Sequence, residues 1–155
     1  MENVRKVLAE LNLIVPFASR PLAAYMPAIR TGNLIFTAGQ LPLVDGQMAA
    51  TGKVGSEVDI DEAKKLAELC ALNCLAAVET ILPIENVVRI VRVVGYVNGA
   101  PGFTHQPTVI NGASELFVNL WGESGKHARS AVGVAELPLN ASVEVELVVQ
   151  VDENP

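Results

Sequence analysis

The chain has 155 residues, half of them hydrophobic and 18% charged, with a formal net charge of −6. That length suits a single domain with a full core over residues 1–155. The composition excludes a disordered chain, and the acidic balance argues against broad nucleic-acid binding, which relies on Lys and Arg to neutralise phosphates.

Residues 2–11 carry Val4, Val7, Leu8 and Leu11 at helical spacing and predict a short N-terminal helix. A loop punctuated by Pro16 and Pro21 follows. Ala24 to Arg30 reads as a first strand, with Pro27 marking an edge or bulge. Thr31-Gly32-Asn33 is a turn, and Asn33 to Ala38 is a second strand, apolar on both faces. Val44-Asp45-Gly46-Gln47 is a further turn, followed by a short strand.

Asp59 to Ile81 is the clearest helix. Asp59 is its expected N-cap, and Glu62 three residues on gives a capping-box-like start. Ala63, Leu66, Ala67, Cys70, Asn73, Cys74, Ala77, Val78 and Ile81 form its inward stripe, and Pro83 stops it. Val87 to Val97 is a β-branched strand. Gln106 to Trp121 is a second long helix that ends at Gly122. Ala128 to Glu136 and Ser142 to Val151 are the last two strands. The expected fold is α+β in two layers: a mixed sheet of five to six strands, two helices on one face, and the short leading helix. The second sheet face, assigned Ala131, Gly133, Ala135 and Val148, then needs other subunits to cover it. The high apolar content points to an oligomer as well.

No segment is apolar and charge-free for the length of a membrane span, and Met1 to Leu8 lack the apolar region of a signal peptide. Cys70 and Cys74 lie four apart on a helix, which seldom offers disulfide geometry. They read as small buried apolar residues. No further ligands stand at metal-binding spacing, so no metal is expected and the cytoplasm is the default compartment.

The chemistry concentrates near the C-terminus. Arg129 enters a strand, and its guanidinium is a fixed fork of donors suited to a small carboxylate. Glu144 lies on the polar face of the next strand, with Glu146 on the same face. Strand pairing is expected to bring Glu144 near Arg129, where it can position a water or move a proton. His127 either protonates a substrate or, as the blander reading has it, caps nearby carbonyls. His105, at a helix start, reads as structural. There is no Ser/His/Asp set, phosphate-binding glycine loop or metal-ligand cluster.

The stretch His127-Ala128-Arg129-Ser130-Ala131-Val132-Gly133-Val134-Ala135-Glu136-Leu137-Pro138, followed by Val143-Glu144-Val145-Glu146, resembles the C-terminal signature of the RidA/YjgF family. Gly32-Asn33-Leu34-Ile35-Phe36-Thr37-Ala38-Gly39-Gln40-Leu41-Pro42 resembles the N-terminal hairpin of that family. The run Pro107 to Ser114, followed by Gly125 to Arg129, is similar to a longer sub-branch labelled endoribonuclease-like. The resemblance spans the chain after its first dozen residues.

It implies a fold similar to bacterial chorismate mutase and a homotrimer with ligand clefts between subunits. The implied activity is hydrolytic deamination of small 2-imino or enamine acids to 2-keto acids and ammonia, with no cofactor. By the same resemblance, Arg129 grips the substrate carboxylate, Glu144 stands near the cleft water, and Tyr25 lines the cleft. Three positions depart from the hydrolytic pattern: a cleft serine is Ala38, a cysteine after the arginine is Ala131, and a helix asparagine is Gly112, with Asn111 adjacent. These departures favour an alternative, a non-catalytic sensor or interaction protein that binds a small carboxylate in the same cleft. The acidic balance and the lack of a His pair place an RNA-cleaving enzyme third.

Overall fold

A computed structural model describes residues 4–18 and 24–152. Residues 2–3 of the expected first helix and Pro21 of the loop after it lie outside the described residues. The order is α1 (Val4–Glu10), β1 (Ala28–Thr31), β2 (Leu34–Thr37), β3 (Leu43–Val44), β4 (Gln47–Met48), α2 (Ile60–Glu79), β5 (Val87–Asn98), α3 (Gln106–Trp121), β6 (Ala128–Val134) and β7 (Val143–Val151). The main sheet runs β1-β2-β7-β5-β6. Only the β5–β6 pair is parallel; the others are antiparallel. This is the expected α+β fold, a mixed sheet with its two long helices on one face.

The helices start and stop for local reasons. The Asp59 side chain accepts the Glu62 N–H at 2.8 Å, a cap that contributes about 1 kcal/mol. Pro107 sits in the first turn of α3, where a missing N–H costs nothing. Gly122 ends that helix at φ 56°, a conformation that suits glycine. Asp45 and Gly46, both at positive φ, form the two-residue turn between β3 and β4.

Along β7, Val143, Val145, Leu147, Val149 and Val151 are buried, while Glu144, Glu146, Val148 and Gln150 are partly exposed. The buried set joins Leu66, Cys70, Cys74, Ile90, Val93, Ile110, Phe117 and others in one core under α2 and α3. Two glycines allow the close approach. A Cβ on Gly95 would meet Ile110 Cδ1 at 2.3 Å, and one on Gly112 would meet the Lys64 carbonyl oxygen at 1.9 Å. The first brings α3 onto the sheet; the second brings α3 onto α2.

The register corrects one expectation. Ala131 and Gly133 stand opposite Gly95 and Val97, whose β7 partners Val145 and Val143 face the helices. They therefore lie on the covered face, not beside Val148, and Ala135 falls beyond the end of β6. The open face carries Ile29, Phe36 and Val148 in register across β1, β2 and β7, with Arg92, Val94 and Tyr96 from β5 and Val132 from β6. Ile29, Phe36 and Val132 are 54%, 43% and 43% exposed. β1 is also shorter than expected, which leaves Tyr25 and Met26 in the exposed segment ahead of it.

Candidate functional site

Arg129 is the second residue of the edge strand β6, opposite Val93. Val93 is fully buried beneath the helices, so the Arg129 side chain projects on the helix side, at the margin of α3. There its Nη1 donates to Asn111 Oδ1 at 2.8 Å and to Ser114 Oγ at 3.2 Å. Asn111 and Ser114 are three apart on α3 and so share a helix face. Both acceptors hold the same nitrogen. The Nε–Nη2 edge meets no hydrogen-bond partner among the described residues. That edge is the planar fork that matches a carboxylate in two parallel bonds.

A further contact lies behind Ser114. His127 Nε2 is 2.9 Å from Ser114 Oγ, and His127 Nδ1 is 2.7 Å from the Gly125 carbonyl oxygen. The ring also packs edge-on to Phe117, with centroids 6.0 Å apart. A carbonyl can only accept, so Nδ1 carries the proton, and neutral Nε2 accepts from the serine hydroxyl. Burial and the positive charge of Arg129 push the imidazole below its usual range, against the Gly125 hydrogen bond, which raises it. Ser114 was not singled out from the sequence. Its spacing from Asn111 was the available signal. His105 stands at the N-cap of α3 without a side-chain cap bond, its ring edge-on to Phe103.

Glu144 occupies a different place. It stands opposite Tyr96 on the open face, while Arg129 is on the helix side. The strand pairing expected to bring the two together within one chain does not do so. Glu144 instead lies against a bulge at the end of β2. Phe36 pairs with Val148, and Gln40 pairs with Val145, so three residues span the length of two. The Leu147 N–H donates to Thr37 Oγ1 at 3.0 Å, which satisfies an amide beside the bulge. A Cβ on Gly39 would sit 1.9 Å from Glu144 Oε1; glycine here is what lets the carboxylate fold against the chain. Burial, and then the charge of Glu146, raise the Glu144 carboxyl above the usual carboxylate range. Tyr96 is held toward its protonated form by burial and by Glu146.

The other expected residues divide between these two places. Ala38 adjoins Gly39 and is half-buried; Tyr25 is 54% exposed. Ala131 packs at the margin of the core, two residues after Arg129. Gly112 is a correction: it is buried at the contact between α2 and α3, and its neighbour Asn111 is the residue that faces Arg129. No group of three or more His, Cys, Asp or Glu among the described residues could hold a metal ion. Nor is any helix among them long and apolar enough to cross a membrane.

The family described as Endoribonuclease L-PSP matches residues 17–151. The chain belongs to this family, the RidA/YjgF family. Its sheet and helices have the chorismate-mutase-like arrangement of that family. A curated relative, Protein TCP17 of Trypanosoma cruzi, is 37% identical over 147 residues, with 94% of this chain and 92% of the relative covered. A 2-iminobutanoate/2-iminopropanoate deaminase of Dermatophagoides farinae is 30% identical over 140 residues, covering 88% and 93%. Among solved structures, the protein Atu1372 of Agrobacterium tumefaciens, described as of unknown function, is 43% identical. It superposes with a TM-score of 0.91 over 97% of this chain and 94% of that one.

Proposed function

We propose that this protein hydrolyses small, reactive 2-imino or enamine acids to 2-keto acids and ammonia, in clefts formed between the subunits of a homotrimer. The observation that carries the reading is the guanidinium of Arg129: one nitrogen tied to Asn111 and Ser114, and beside it a fork that meets no hydrogen-bond partner among the described residues, on the edge strand of the sheet. Such a fork binds a carboxylate with a contribution of about 1.5–3 kcal/mol. The relative from Dermatophagoides farinae, named as a deaminase of such imines, supports the substrate class.

The chemistry asked of the site is modest. Water adds through oxygen to the imine carbon, and the C=N bond becomes a C–N bond. Both water protons pass in turn to nitrogen, the one taken up by Glu144 included; the C–N bond breaks, and ammonia leaves as the carbonyl forms, an enamine having first shifted a proton from nitrogen to carbon to become the imine. Arg129 holds the carboxylate and fixes the orientation. Glu144, supplied by a second copy, orients the water and takes its proton. A carboxyl raised above its ordinary range is a better base for that step than an exposed one. Because Arg129 and Glu144 of one chain face opposite sides of the sheet, the reading requires this second copy.

A second reading is favoured by Ala38 and Ala131, whose methyl groups cannot exchange protons: a sensor that binds a small carboxylate in the same cleft without turnover. RNA cleavage ranks below both, since the chain carries a net charge of −6. A coupled assay separates them. 2-Aminoacrylate is generated in place and ammonia release is followed with wild type and Arg129→Ala. Acceleration lost in the variant supports the deaminase. Pyruvate binding without acceleration supports the sensor. Salt-resistant RNA cleavage that needs Arg129 would overturn the ranking.

A further inference from the structure

We propose that Ser114 and His127 are positioning residues for carboxylate capture, forming a hydroxyl–imidazole brace that holds the Arg129 guanidinium with its Nε–Nη2 edge outward. The inference rests on the reading of Arg129 as the carboxylate clamp and names the residues that set its geometry.

The brace has one consistent hydrogen-bond direction. The Gly125 carbonyl, 2.7 Å from Nδ1, fixes the His127 proton on that nitrogen. Nε2 is then an acceptor, and the Ser114 hydroxyl, 2.9 Å away, points its proton at it. With the proton committed, the lone pairs of Ser114 Oγ face Arg129 Nη1 at 3.2 Å. Asn111 Oδ1 receives the same nitrogen at 2.8 Å. Two acceptors on one nitrogen define the plane of the guanidinium, which one acceptor alone cannot do. The imidazole cannot readily turn, because Phe117 packs against it edge-on.

The charges around the brace leave it undisturbed. Glu123 and Lys126, beside Gly125, pair with each other at 2.6 Å. Glu115, next to Ser114, pairs with Lys64 of α2. Arg129 is the charge that presses on the ring, and it favours the neutral form the brace needs.

The test measures pyruvate binding and imine turnover for wild type, Ser114→Ala, His127→Phe and His127→Gln, with thermal melting as the check of fold. Nitrogen NMR gives the His127 tautomer and the order of the Arg129 Nε–H. Ser114→Ala and His127→Phe should weaken pyruvate binding about five- to tenfold, the loss of roughly one hydrogen bond. They should raise KM with kcat nearly unchanged and broaden the Arg129 resonance. His127→Gln, which keeps an acceptor, should stay close to wild type. Wild-type His127 should carry its proton on Nδ1. A folded Ser114→Ala that binds pyruvate as tightly as wild type, or an Nε2-protonated His127, overturns the brace. If wild type binds no pyruvate, the clamp reading fails; a sharp Arg129 resonance that broadens in both variants would still support the brace.

Discussion

Arg129 and Glu144 sit on opposite faces of one sheet, with β5 between their strands. Arg129 follows Val93 to the helix side, and Glu144 follows Tyr96 to the open side. Each half of the site is well built: the arginine is fixed by α3, and the carboxylate is folded onto Gly39. For the proposed reaction, each half needs the other from a second copy.

Arg129→Ala should weaken binding of a small 2-keto acid by about ten- to a hundredfold, the equivalent of roughly 1.5–3 kcal/mol. Stability should change by about 1.5 kcal/mol or less, since among the described residues only Asn111 and Ser114 lose a donor. Arg129→Lys should bind more weakly than wild type, because a point charge cannot make the two parallel bonds. Titration calorimetry with pyruvate and a thermal melt check both statements. Full binding by the alanine variant would make Arg129 a structural residue.

The oligomer should be a trimer at micromolar concentration, as sedimentation velocity will show. Phe36→Glu places a charge on the apolar part of the open face, between Ile29 and Val148. It should shift the protein toward monomer and abolish turnover while leaving the secondary structure in place. A wild-type protein that sediments as a stable monomer removes the cleft between subunits.

Two glycine substitutions should behave differently. In Gly112→Ala the new methyl meets the Lys64 backbone oxygen, so α2 and α3 must part. The cost should be about 1–3 kcal/mol. In Gly39→Ala the obstacle is the movable tip of the Glu144 side chain, so the melt should shift little. Turnover should fall, because the carboxylate is displaced. Equal destabilisation by both would show that Gly39 serves the fold alone.

The acid response should carry two opposite contributions. His127 is pushed down in the fold, so the unfolded chain takes up its proton first. The contribution of His127 is full above the usual imidazole value and is lost as pH falls toward the lowered one. Glu144 is pushed up, so its ionisation costs stability as pH rises from the ordinary carboxylate value through the raised one. Denaturant melts of Glu144→Gln should be as stable as wild type or more so at neutral pH, by about 1 kcal/mol at most, given its partial exposure. They should lose that advantage in acid. His127→Phe should flatten the wild-type loss below about pH 6.5. A variant that keeps the wild-type slope contradicts the corresponding assignment.

Much of the fold was legible in local pattern. The alternation along β7, the stripe and N-cap of α2, and the Pro and Gly that bound α3 are short-range facts, fixed by side-chain period and backbone freedom. Arg129 and Glu144 stand out through the resemblance of their two strands to the family signature, since other Arg and Glu residues of the chain offer the same fork of donors and the same acid. The sharing of faces was not legible. Ala131 and Val148 look alike in sequence, yet a register set across β5 sends them to opposite sides. The same register parts Arg129 from Glu144. The contact of Asn111 rather than Gly112 with Arg129, and the brace through Ser114 and His127, depend on how α3 rotates over the sheet. That rotation is decided by Gly95 beneath Ile110 and by Gly112 against Lys64. The sequence by itself determined which elements form and which chemistries are present. Only the tertiary structure decided which side chains meet, because close packing of helices on a sheet is a long-range fit that no local period encodes.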